Sequence, residues 1–81
     1  MKKINFEDFH VGQYLRVHMN DGSIVYGKIR KIDEIYMYCD EYDSIDSEWL
    51  QDIGRISKEC NPAIVQQLHI SDEVQFKLIV S

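Results

Sequence analysis

The chain has 81 residues, 44% of them hydrophobic and 28% charged, with a formal net charge of −5. One domain is expected at this length, and only about 60 to 65% of the unfolded chain's surface can be buried, which leaves a stability on the order of 5 kcal/mol. The composition excludes a disordered chain, and the negative sum argues against bulk attraction to nucleic-acid phosphate.

Met1-Lys2-Lys3 resembles the basic start of a signal peptide, yet no apolar run follows before the acidic pair Glu7-Asp8, and no apolar stretch approaches a membrane span. A cytoplasmic chain is expected. Ile4 to Phe9 fits neither a strand nor a long helix, and predicts a lead-in turn whose two phenylalanines cap the core. Tyr14 to Met19 alternates, with Leu15, Val17 and Met19 on one face and Tyr14, Arg16 and His18 on the other. Asp21-Gly22 then supplies the positive φ of a tight hairpin, folding Tyr14–Met19 back on Ile24–Ile32. In that second strand Val25, Gly27 and Ile29 share the inward parity, and Gly27 predicts a bend.

Asp33-Glu34 predicts the next turn. Ile35 to Asp40 follows as a third strand, with Ile35, Met37 and Cys39 inward and Tyr36 and Tyr38 outward. Glu41 to Ser47 reads as an acidic surface loop, Glu48 to Gln51 as a short fourth strand, and Asp52 to Ile56 as a bend running into a fifth. Asn61-Pro62 is a helix start, predicting two helical turns over Ala63–His69 with Ile64, Val65 and Leu68 as the apolar stripe. From Asp72 the chain alternates again, with Val74, Phe76, Leu78 and Val80 on one parity, which predicts a terminal strand. The fold expected is mainly β: a small, five-stranded, strongly bent antiparallel barrel over residues 1–56, then a short helix and an additional strand over 57–81.

Val11-Gly12-Gln13-Tyr14-Leu15-Arg16-Val17, Asp21-Gly22, Gly27-Lys28-Ile29 with Asp33, and Leu50-Gln51-Asp52-Ile53-Gly54-Arg55-Ile56 together resemble the small β-barrels of the Sm-like and Src-homology kind. The resemblance covers roughly residues 11 to 56 and rests on barrel-forming positions, so it speaks for fold before function. It implies an RNA-binding, ring-forming module. The asparagine of the Sm-like RNA pocket has no counterpart at Tyr36-Met37-Tyr38, and no RNA-contacting residue carries over.

Two surfaces are candidate sites. Tyr26, Tyr36 and Tyr38 with Arg16, Lys28 and Arg30 share the outward parity, an aromatic and basic platform suited to a protein partner or to stacked bases. The same tyrosines would equally fill the outer face of a half-covered sheet beneath the C-terminal helix. Eight acids and no base lie between Lys31 and Arg55, and five of them form an acidic loop: Asp40, Glu41, Asp43, Asp46 and Glu48. The loop lacks the glycine and the alternation of a calcium loop, and could meet a basic partner or imitate nucleic-acid charge.

His10, His18, His69, Cys39 and Cys60 show no metal-ligand spacing. Cys60 near His69 lacks an orienting third group. No cofactor and no enzymatic activity is expected. The leading expectation is a non-enzymatic interaction module that binds a protein partner, or a second copy through the terminal strand. The alternatives are an Sm-like RNA binder and an acidic nucleic-acid mimic.

Overall fold

The structure, a computed structural model, describes residues 3–80, so the basic start at Met1-Lys2 lies outside the described residues. Five strands follow in order: β1 (Tyr14–His18), β2 (Ile24–Ile32), β3 (Tyr36–Asp43), β4 (Glu48–Ser57) and β5 (Val65–Leu68). One helix, α1 (Glu73–Val80), closes the chain. The strands form one antiparallel sheet in the order β4-β3-β2-β1-β5. The fold is mainly β as expected, but the sheet is open, with β4 and β5 at its edges, so the expected bent barrel does not close. Among the described residues no helix is long and apolar enough to cross a membrane.

The first hairpin forms as its turn chemistry dictates. Met19 N–H donates to the Ser23 carbonyl at 2.9 Å, Gly22 takes φ 89°, and the Asp21 carboxylate accepts from Ser23 N–H at 2.9 Å. The ladders keep their register through Gly27, where an added Cβ would meet that of Cys39 at 3.4 Å. The irregularity comes at Arg30: Ile29 pairs with Cys39 but Lys31 pairs with Tyr38, leaving Arg30 as an extra, bulged residue.

The predicted fourth strand and bend are one ten-residue strand, β4. The bend is a bulge, because Cys39 faces Gly54 while Glu41 faces Leu50, and Gln51 to Ile53 stand opposite Asp40 alone. The acidic loop is also shorter than predicted. Asp40, Glu41 and Asp43 belong to β3 and Glu48 to β4, so only Ser44 to Ser47 turn.

The C-terminal predictions are reversed. Asn61 does cap, accepting from Ala63 N–H at 2.9 Å, but only a 3₁₀ turn (Pro62–Ile64) forms before Val65–Leu68 pairs with β1. An exposed edge of β1 offers Val65 a full ladder, which a two-turn helix could not match. The predicted terminal strand is α1. Asp72 accepts from Gln75 N–H at 2.8 Å, so Asp72-Glu73-Val74-Gln75 is the start of a capped helix, and that signal outweighs the alternation of Val74 to Val80.

Each face of the sheet carries a buried cluster. The inner cluster is Ile4, Leu15, Ile29, Met37, Cys39 and Val65, with Phe6, Phe9, Val17, Ile32 and Ile56 packed around it. Met19 and Ile35, predicted to join it, are exposed because each lies in a turn just beyond its strand. The outer cluster is Tyr14, Tyr42 and Phe76 with Tyr26, Trp49, Leu68, Ile70 and Val80, and α1 roofs it.

Candidate functional site

Register places the predicted platform on the outer face and α1 divides it. Lys28 pairs across the ladders with Tyr14 and Asp40, Arg16 with Tyr26, and Tyr38 with Arg55. Tyr26, Arg16 and Lys28 fall beside the helix. Tyr26 meets the Phe76 ring edge-on at 5.5 Å, the Arg16 guanidinium lies 5.4 Å over Tyr26, and Lys28 pairs with Glu73 at 3.1 Å. Tyr36, Tyr38 and Arg30 fall on the half that α1 leaves open. The six predicted residues therefore form two groups of three.

The open half is a shallow cleft of about 740 Å³ lined by Arg30, Lys31, Tyr38, Ile53, Gly54 and Arg55. The bulge creates it. Strict alternation from Ile29 would turn Lys31 into the core, but the extra residue at Arg30 sets both cations on the cleft and sends Ile32 inward instead. Gly54 leaves the floor without a side chain, and Ile53 offers an exposed apolar wall.

The cleft's charges are not equivalent. Arg30 Nε donates to the Asp40 carboxylate at 2.9 Å, so its charge is compensated. Lys31 and Arg55 have no carboxylate within 4.0 Å among the described residues. Each instead lies over a ring, Arg55 at 4.7 Å from the Tyr36 centroid and Lys31 at 5.6 Å from that of Tyr38. The two tyrosines meet edge-on at 6.0 Å. Loss of solvent, and then the neighbouring Asp33 carboxylate, raise the Tyr38 phenol above its ordinary pKa, so it remains neutral at physiological pH. Asp33 itself is held low by the Tyr36 and Ile35 N–H groups, each donating at 2.8 Å.

No family model, curated protein or solved structure matches this chain. The geometry alone carries the functional reading.

The remaining predicted residues do not converge on chemistry. Asp43, Asp46 and Glu48 bring carboxylate oxygens within 4.8 Å of one another. Asp43 is also the turn former, accepting from Ile45 N–H at 2.9 Å, and this accounts for its position. Asp40 neutralises Arg30 and Glu41 is half-buried in β3, so neither belongs to a free acidic surface. His10 and His69 line a second open cleft with Gln13, Leu68 and Ser71. Cys39 is buried in the inner core, where burial, then the charge of Asp40, push its thiol up to about 11. The Cys60 thiol is raised by burial and donates to the Asn61 carbonyl rather than to an imidazole.

Lys31, Ile53 and Arg55 were not among the residues predicted. Alternation hid Lys31 behind the bulge, and Ile53 and Arg55 fell in the segment read as a bend.

Proposed function

We propose that the chain is a non-enzymatic binding module whose cleft, lined by Lys31, Tyr38, Ile53 and Arg55 with the Tyr36 ring under Arg55, takes an acidic segment of a partner protein. One observation carries this reading: Lys31 and Arg55, neither with a carboxylate within 4.0 Å among the described residues, each lie over a tyrosine ring. Anionic side chains would complete their charge without moving them, while Ile53 and the ring edges cover the apolar part of such a segment.

RNA binding is the second reading, supported by the resemblance to Sm-like barrels and by tyrosine beside arginine. It is the weaker of the two. A base stacking on the face of Tyr36 or Tyr38 that carries the cation must displace that cation, whereas a carboxylate can pair with it in place.

Fluorescence anisotropy with a labelled Asp/Glu-rich peptide and with labelled single-stranded RNA, at about 50 mM and about 200 mM salt, separates the two readings. Saturable peptide binding that weakens with salt supports an acidic protein segment. RNA binding with a steep salt slope and no peptide binding would replace it with the second reading, and binding of neither removes both.

A further inference from the structure

Among the described residues one ring meets four others. Phe76, fully buried, stacks on Tyr14 at 4.8 Å and on Trp49 at 5.1 Å, and meets Tyr42 and Tyr26 edge-on at 5.1 and 5.5 Å. Those four rings belong to four strands, β1 to β4, so the walls of the cage around Phe76 are all supplied by the sheet. Lys28 stands at its rim, 5.5 Å over Tyr14 and 5.9 Å over Trp49, and is paired with Glu73.

The helix that delivers the ring is otherwise lightly held. Phe76 is the one buried residue of α1, with Val80 half-buried beside it. Among the described residues no backbone hydrogen bond ties α1 to the sheet. Val74, Leu78 and Ile79 are 70%, 70% and 53% exposed, so three of the helix's five apolar residues stand mostly in solvent. Eight residues are too few to stay helical without docking. The docked state also leaves two buried donors without partners: the indole Nε1 of Trp49, a wall of the cage, and Nε of Arg16, whose guanidinium covers Tyr26.

We infer that the four-ring cage is a binding site for a helical segment of a partner protein, and that α1 is its built-in occupant. The ligand chemistry is written in α1: an aromatic residue for the cage, a carboxylate three residues earlier for Lys28, and an apolar residue four later where Val80 lies. A partner segment with this pattern that also offers acceptors to the two unpartnered donors makes every contact of α1 and more, so it displaces the helix. This site is separate from the cationic cleft and does not depend on it.

Three measurements on the full chain test this. In native-state hydrogen exchange, amides of Phe76–Val80 must exchange about 100-fold faster than those of β2 and β3; exchange in step with the sheet means α1 does not leave, and overturns the proposal. A labelled peptide of residues 70–81 must bind the Phe76→Ala chain about tenfold or more tightly than the wild type, whose own helix competes. The same peptide carrying Glu73→Lys must lose affinity and regain it on Lys28→Glu,Phe76→Ala; a folded Phe76→Ala chain that ignores the peptide overturns the proposal. Should that variant not fold, peptide in excess must change Trp49 emission in the wild type, and no change overturns it. A wild-type dimer that exchanges α1 between copies would make a second copy the occupant, and so would also overturn the proposal.

Discussion

Leu15 and Met19 share a parity, and alternation alone would bury both. The structure separates them: Leu15 is fully buried between β2 and β5, whereas Met19 is 47% exposed at the start of the turn. Truncating a fully buried leucine removes its transfer energy and leaves a cavity, about 2 to 5 kcal/mol. A half-exposed side chain outside the clusters costs within about 0.5 kcal/mol. At about 0.05 to 0.15 kcal/mol per residue, 81 residues hold roughly 4 to 12 kcal/mol in all, so Leu15→Ala removes a large part of the total. With a urea slope of about 1 kcal/mol per molar, Leu15→Ala should lower the unfolding midpoint by about 2 M or more, and Met19→Ala by under about 0.5 M. Circular dichroism and Trp49 fluorescence should report the same transitions. Equal shifts for the two variants, or a Leu15→Ala loss below about 1 kcal/mol, would refute the two-sided sheet.

Lys31→Glu with Arg55→Glu should abolish acidic-peptide binding in anisotropy while leaving the urea midpoint within about 0.5 M of wild type, because both residues are exposed. Tyr36→Ala with Tyr38→Ala should keep the fold by circular dichroism and weaken the same binding, since the cations lose the rings that hold them. With its pKa near 11, Cys39 is thiolate in about one molecule in a thousand at pH 8. In a thiol-reagent time course Cys60, half-buried, should therefore react first and Cys39 only on unfolding. The folded pKa values of Asp33 and Asp21 lie below the ordinary carboxylate value, so their contribution to stability is complete above about pH 4 and is lost as pH falls below it. Asp33→Asn with Asp21→Asn should flatten the acid limb of a plot of urea midpoint against pH.

Where a signal was local and strong, the chain could be read directly. Asp21-Gly22 marked the first hairpin, and the parity of Leu15, Ile29, Met37 and Cys39 marked the inner core. The reading failed where one residue shifted the phase. Arg30 reversed the faces of Lys31 and Ile32, and Gln51 to Ile53 made one strand look like two. It failed again where acids masked a strand, since Tyr36, Tyr38, Asp40 and Tyr42 continue one alternation through the residues taken for a loop. At the end of the chain period two and a capping pattern competed, and the cap at Asp72 prevailed. Of the cleft, Tyr38 and Arg30 were thus legible, with Tyr36 as the ring beneath Arg55. The rest depended on two bulges, which alternation cannot signal.

The bulge at Arg30 makes the cleft a matter of counting as much as of chemistry. Removing that single residue would restore an unbroken pleat and still leave Lys31 on the cleft and Ile32 toward the core, because the ladder already pairs both as if Arg30 were not counted. A cation carried on an uncounted residue can thus be gained or lost by one codon without turning any neighbour to the other face.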